Sequence, residues 1–532
     1  MATSIRAPVM AGVAARVLIA AGVLFATGCG RLERLSADAV PAPSESPRIA
    51  KLRDLGLTDL PPGKRVPLKG GDDCLVPGEL VAVEGRGLGA GTALTIDGRP
   101  LTIVAHLVGG GVVARLPRGL TPGPARTLRA TTTLGKTETT CAVHGWVIVA
   151  DSDGDQLRFV RLTGESDKAP FADGSAPGLG LTSVRAIAVA PDGARCYAIQ
   201  GRAVKDALLG RSTNTIALVT VDMVAPEEPR QISSRDLDLP SPPERLAALP
   251  GGRLAVLCRR HLVLVDPATE VGVIATTELP GGDGACYAAL ALLRGGARLM
   301  ALDVIGNRVV AIDLDPEPRI AAEVALLPDT KLPWSVTVVA DPAGEDAWAV
   351  LGPNHRTIVE RMGFGEPGGV TPTIPRVVRL SAAEGSLTVS PLAELSADFL
   401  PIHASFADGI IWVSGVASMS ERLRGLERNL EGLRKAVTLV ASTARLGQLM
   451  RVDAESGSVV TALRGMVVYT TTAGLADGRP VCAILRLRPH VFPPSIGVDY
   501  GIECAGEGFV RLRELSWWTV VPPYGLGELA VQ

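Results

Sequence analysis

Aromatic residues make up only 4% of this 532-residue chain, and its 53 Lys and Arg nearly balance its 55 Asp and Glu, for a formal net charge of −2. With no basic field to follow a phosphate backbone and few rings for bases to stack on, nucleic acid is excluded as a partner. Short catalytic strings are also missing: there is no GxSxG, no HExxH and no CxxC. The six histidines, His106, His144, His261, His355, His403 and His490, stand apart from one another in sequence. Each is expected to be structural. Because a propeller can gather distant residues around its axis, His355, flanked by Asn354 and Arg356, and His403, after an apolar strand, are the first to inspect for a role in a site.

Phosphate-binding loops are imitated but not made. Gly85, Gly87 and Ala90 fit GxGxxA, yet a strand pair follows where a helix N-terminus is needed. Gly363, Gly365 and Gly368 fit GxGxxG within a loop, and Gly135, Lys136 and Thr137 have Ala130 where the first P-loop glycine belongs. No cofactor is therefore expected. Asp151, Asp153 and Asp155 offer alternate carboxylates of the kind Ca²⁺ favours, but Gln156 and Leu162 occupy the sixth and twelfth positions of the loop, so a solvated turn is the expectation.

What the chain does have is turns and repeats. Gly (60) and Pro (40) together make about a fifth of it. The phrase RLMALDVIGNRVVAIDLDP, Arg298 to Pro316, is an apolar strand, a turn around Gly306 and Asn307, and a second apolar strand. Versions recur from Val147 to Gly415, with turn glycines at Gly193, Gly252, Gly296, Gly344 and Gly409. The Asp residues closing the strands, Asp222, Asp266 and Asp313, fall 44 and 47 residues apart. A period of roughly 40 to 50 residues built from short strands signals propeller blades, because one small sheet cannot bury both faces unless neighbours stack on it. VADSDGDQLRFV and ALDVIGNRVVAIDL resemble the YVTN and NHL type of β-propeller repeat. The resemblance implies six or seven blades over 145–532, closed by pairing of the first strands near Val147 with the last.

The N-terminus reads as a targeting signal over 1–28. Arg6 and Arg16 precede the apolar run Val17–Ala26, too short to span a bilayer, and Ala26, Thr27, Gly28 and Cys29 follow. This resembles the lipobox of bacterial lipoproteins, which implies cleavage before Cys29 and acylation of its thiol. Gly30 rather than Asp comes next, favouring the outer over the inner membrane. Residues 29–69, rich in Pro, Ser and charge, read as a tether. From 70 to 144 the pattern turns to short alternating strands, and the order of ELVAVEGRGL, an "IDG" hairpin, "VVARLP" and "GPARTLRATTTLG" resembles the IPT/TIG type of immunoglobulin-like β-sandwich.

Between Ser418 and Ala441, Leu423, Leu426, Leu430, Leu433, Val437 and Val440 form the stripe of an amphipathic helix inserted in the propeller, with Ser418 and Glu421 as a capping box. The stripe suits burial on the propeller rim or docking of a partner. Seven cysteines follow Cys29. Cys74 and Cys141 bracket the sandwich and Cys482 and Cys504 lie in the last blade, so each pair is a disulfide candidate in an exported protein. Cys196, Cys258 and Cys286 read as buried thiols.

These readings describe an all-β envelope lipoprotein: a sandwich, then a six- or seven-bladed propeller with one helical insertion. Its expected role is non-enzymatic binding or scaffolding of a protein or polysaccharide, with membrane contact through the anchor. The alternatives are a propeller hydrolase of lactonase type with a funnel active site, and a structural envelope-assembly factor.

Overall fold

A computed structural model describes residues 32–34, 42–55, 65–67, 74–75, 77–108, 110–117, 120, 123–143, 146–151, 156–161, 178–181, 184–191, 193–205, 212–223, 230–269, 272–326, 334–352, 374–383, 386–397, 399–417, 447–465, 467–474, 479–490, 495–504, 509–515 and 526–531. The segment 1–28 expected to be a signal, Cys29 and the expected helical insertion 418–441 lie outside these, as do His355, Asp153 and Asp155. No described residue is in an α-helix. The chain divides into two compact units, residues 1–117 with 126–141, and 118–125 with 142–532.

The first unit holds two main sheets. One orders Arg48–Asp54, Leu80–Arg86, Gly111–Arg115 and Thr102–His106; the other orders Cys74–Leu75, Gly135–Val143, Gly123–Thr132, Ala93–Ile96 and Arg99–Pro100. In the second sheet Leu94 and Ile96 are buried opposite Ala130 and Leu128, so alternation puts one apolar face inward. In the first, every residue from Leu80 to Val83 is buried: Leu80 and Ala82 pack with Leu55, Leu107 and Val113, and Val81 and Val83 sit opposite Ala114 and Val112. The expected "IDG" hairpin is present, with Asp97 and Gly98 at φ 48 and 79, as a two-residue turn matched to strand twist requires. The tether expectation needs correction. Arg48–Asp54 is a sheet strand paired with Leu80–Arg86, and Leu32–Arg34 pairs with Arg65–Pro67. Charges along an edge strand, here Arg48, Lys51 and Arg53, hide strand character from a hydrophobic pattern.

Among the described residues the second unit contains seven four-stranded sheets. Blades two to seven each use consecutive strands, starting at Val184–Val189, Pro243–Ala248, Tyr287–Leu293, Trp334–Ala340, Phe399–Ala407 and Val467–Gly474 as inner strands. Blade one is assembled from both ends: Trp146–Asp151, Gln156–Arg161 and Gly178–Gly180 are completed by the C-terminal strand Leu526–Val531, which pairs antiparallel with Trp146–Asp151. Each inner strand touches those of the blades before and after it, and Leu526–Val531 touches both Val467–Gly474 and Val184–Val189. The seven sheets therefore close into a ring, a seven-bladed β-propeller.

Period-two alternation explains why the second strand of blade four, Arg298–Asp303, is buried throughout and apolar from Leu299 to Leu302. Leu299 and Ala301 pack with Leu257, Leu262 and Leu264 of blade three, whereas Met300 and Leu302 pack with Val338, Ala349 and Leu351 of blade five. Both faces are covered, each fully buried Leu contributing about 1.5–3 kcal/mol. The first hairpins turn on Gly193, Gly252, Gly296 and Gly409 in the left-handed region, and a Cβ at Gly296 would come within 2.4 Å of Pro250 in the neighbouring blade. The outer strands carry bulges of their own, at Ile232 and Ile274 for instance, which blunt an open sheet edge.

Candidate functional site

Every inner strand carries a β-bulge within its first four residues. The inserted residues are Arg185, Glu244, Ala288, Val336, Ile402 and Thr470 in blades two to seven, and one extra residue between Leu526 and Leu529 in blade one. Antiparallel order puts the start of each inner strand at the same end of the ring as the connection between its second and third strands. The longest such connections, 353–373 in blade five and 418–446 in blade six, thus leave from the bulged end. A ring of bulges around the propeller axis is the best-formed candidate site.

Beyond the bulges the inner strands are mostly small and apolar, as in AIAV, LAA and ALALL. Charge is confined to the mouth: Arg185 is exposed, and Glu244 and Arg245 are half-buried. Arg245 in blade three and His403 in blade six stand three blades apart. Both sit at the first position after their bulges. His403 is held in the seam to blade seven, where Thr472 donates its backbone N–H to Nδ1 at 3.3 Å with its Oγ1 3.4 Å from the same nitrogen; Ser414 donates its hydroxyl to the His403 carbonyl at 3.3 Å. An accepting Nδ1 puts the ring proton on Nε2. Burial, reinforced by Arg245, lowers the His403 pKa to about 3. A ring held neutral in this way is a poor proton carrier near pH 7.

At the bulged end of blade four, Asp303 is 1% exposed, and its Oδ1 accepts from the backbone N–H groups of Cys286, Ile305 and Gly306 at 2.9, 3.1 and 2.9 Å. Arg308 Nε lies 3.5 Å from Oδ2. The carboxylate thus ties the entry to blade four to the turn of its central hairpin. Burial pushes the thiols of Cys196 and Cys258 up to about 12 and raises that of Cys286, in keeping with inert structural thiols.

The other expected site residues do not gather here. Asp151 ends a strand of blade one, and its partners Asp153 and Asp155 are outside the described residues. Among the described residues no group of three or more His, Cys, Asp or Glu is placed to hold a metal ion. No disulfide is present among the described residues. For Cys482 and Cys504 the register gives the reason: Cys482 lies opposite Glu503 and Cys504 opposite Val481, one step apart, so the two positions fall on opposite faces of the sheet. Cys74 lies in the strand beside that of Cys141, whose thiol is directed at the Arg126 carbonyl, 3.7 Å away. Sequence reasoning reached His403 but missed Arg185, Glu244, Arg245 and Ile402. Their signal was a polar or misplaced residue at the second to fourth position of an apolar strand, as in VRAIAV, PERLAA and FLPIHASFA.

No family model matches the chain, and no curated protein matches it in sequence. Solved structures are similar at a low level. A putative 6-phosphogluconolactonase from Bacteroides uniformis is 11% identical with a TM-score of 0.43, covering 70% of this chain and 98% of its own. The periplasmic gluconolactonase PpgL of Pseudomonas aeruginosa is 12% identical with a TM-score of 0.42, covering 70% and 96%. The β-propeller domain of Swd1 from Myceliophteria thermophila is 13% identical with a TM-score of 0.38, covering 63% and 91%. At that distance these likenesses assign no activity, and the propeller stands on its own sheet order and ring closure.

Proposed function

We propose that this protein is an exported recognition module, anchored by acylation of Cys29 to the outer membrane, with an immunoglobulin-like sandwich of IPT/TIG type and a propeller whose bulged mouth is the binding face. The observation that carries this reading is the channel wall. Its inner strands are mostly small and apolar, interrupted by Thr337, Ser405 and Thr472 in blades five to seven, with charges at the rim, a surface suited to contact. A rigid ring presenting connections from one face needs no reacting groups to bind. A disulfide between Cys74 and Cys141 would staple the sandwich.

The test is an affinity pull-down from detergent-solubilised envelope with full-length protein and a Cys29→Ala form. The expected result is a specific partner held by both, with only the wild type in the membrane fraction. A Cys29→Ala protein that stays in the membrane removes the anchor. Glu244, Arg245 and His403 at one mouth also make lactone opening the rival to exclude: hydrolysis of an aldonolactone by the purified protein, lost on Glu244→Gln, would replace recognition with catalysis.

A further inference from the structure

The seam between blades two and three holds a pair of metal-ligating side chains that binding at the mouth does not call on. Cys258 ends the second strand of blade three and His261 begins the third, with only Arg259 and Arg260 between them, and the two lie directly opposite one another in register. Side chains at opposite positions share a face, with Cβ atoms about 4.5–5.5 Å apart. That face is turned to blade two: Cys258 is fully buried in one cluster with Val256, Val263 and, from blade two, Leu218 and Leu237. The turn is tied down, since the carbonyls of Arg259 and Arg260 accept from the backbone N–H groups of Tyr287 and Leu279 at 2.9 and 2.8 Å. Its two side chains are engaged elsewhere, Arg260 with Asp283 and Arg259 with the Cys286 thiol. Nδ1 of His261 is buried and has no hydrogen-bond partner among the described residues, and the same holds for the Oγ of Ser241, whose backbone N–H reaches the Cys258 sulfur. Buried polar atoms are costly to leave unmet, so this corner calls for something that engages them.

We propose that Cys258 and His261 bind a single Cu(I) ion between the sulfur and Nδ1. The spacing is one that metal sites use: two ligand residues separated by two others at a tight turn bring both donors to one ion. Sulfur and imidazole inside an apolar shell select a soft ion over Ca²⁺ or Mg²⁺, which want oxygens. Glu278, on the other side of His261, is exposed, and among the described residues no third His, Cys, Asp or Glu completes the four-donor cage that structural zinc takes. Two donors fit the low coordination number that Cu(I) accepts. Binding exchanges the thiol proton for the metal: the S–H bond breaks, S–Cu and N–Cu bonds form, one proton leaves to solvent and copper stays Cu(I). The ring proton then sits on Nε2, and the Ser241 N–H steadies the thiolate. Cys258 is sealed from water but His261 is only half-buried, so the imidazole is the open side of the site. The site does not depend on the mouth's binding a partner.

The test titrates the reduced full-length protein in detergent with Cu(I) under argon, against bicinchoninate as a coloured competitor, and reads the copper environment by X-ray absorption at one equivalent. One equivalent is expected to bind more tightly than any further copper, with one sulfur and one nitrogen around it. Its affinity should fall about a hundredfold or more in Cys258→Ser and in His261→Gln, at or beyond the roughly 10–100-fold that loss of an outer-shell partner costs. Cys286→Ser, which removes the thiol bonded to the same turn, should leave it unchanged. Thermal unfolding of the metal-free variants is the folding control, and if Cys258→Ser does not fold, His261→Gln decides alone. Tight binding retained by His261→Gln, a copper shell of sulfur alone, or loss of binding in Cys286→Ser overturns the site. So does a protein that takes no copper from bicinchoninate, which would leave a bridging water as the partner of Nδ1 and Ser241.

Discussion

Arg298 and Asp313 face one another across the central hairpin of blade four, and the Arg298 Nε donates to Asp313 Oδ1 at 2.7 Å. Arg298 is only 6% exposed, so the pair compensates a charge already withdrawn from water. Arg195 and Asp222 occupy the matching register in blade two. The aspartates that mark the period in the sequence thus close their strands opposite the start of the preceding one.

Removing only the carboxylate leaves the guanidinium buried without its partner. Asp313→Ala is expected to cost about 2–3 kcal/mol, whereas the double change Arg298→Met with Asp313→Leu should recover most of that loss. Guanidinium denaturation of the three proteins checks this, and equal stability of Asp313→Ala and wild type would show the pair to be inconsequential.

Asp303 satisfies three backbone donors with a single oxygen. Asp303→Ala should cost on the order of 2 kcal/mol or more, and Asp303→Asn, which keeps an acceptor, distinctly less. Hydrogen exchange at Cys286, Ile305 and Gly306 should quicken in the alanine variant alone. Uniform protection in both variants would contradict the assigned bonds.

His403 gives the fold a pH dependence of known sign. Its folded pKa lies near 3 against 6.5 for the free side chain, so the unfolded chain takes up the proton first. Its contribution is whole above about pH 6.5 and is lost as pH falls towards 3. Melting temperatures measured at pH 7 and pH 4.5 should therefore diverge less for His403→Gln than for wild type, and an NMR titration should find the ring still neutral at pH 5.

Cys196 and Cys258, fully buried and pushed up to about 12, should resist alkylation by iodoacetamide at pH 8 in the folded protein and react once it is unfolded in guanidinium. Mass spectrometry of peptides spanning the two residues reads this directly. Rapid labelling of Cys258 in native buffer would mean that the seam between blades two and three opens.

Ring closure lay within reach of the sequence because each step is local: apolar strands of period two, a glycine at each hairpin and a repeat of 44 to 47 residues that cannot bury both faces alone. The pairing of Trp146–Asp151 with the chain's end follows from the same need, since an unclosed ring exposes two sheet faces. The number of blades was not legible, because unequal connections blur the period while leaving the stacking intact. The strand Arg48–Asp54 was hidden by its own edge charges.

Amino-acid order alone determined that this chain is built of stacked hairpins, for alternation and turn residues act over a few neighbours. Only the tertiary structure decided that there are seven of them, that Cys482 and Cys504 fall on opposite faces, and that Arg185, Glu244, Arg245, Ile402 and His403 meet at one mouth. A bulge shifts register by one residue, and residues more than two hundred positions apart in the chain become neighbours only after the ring has closed.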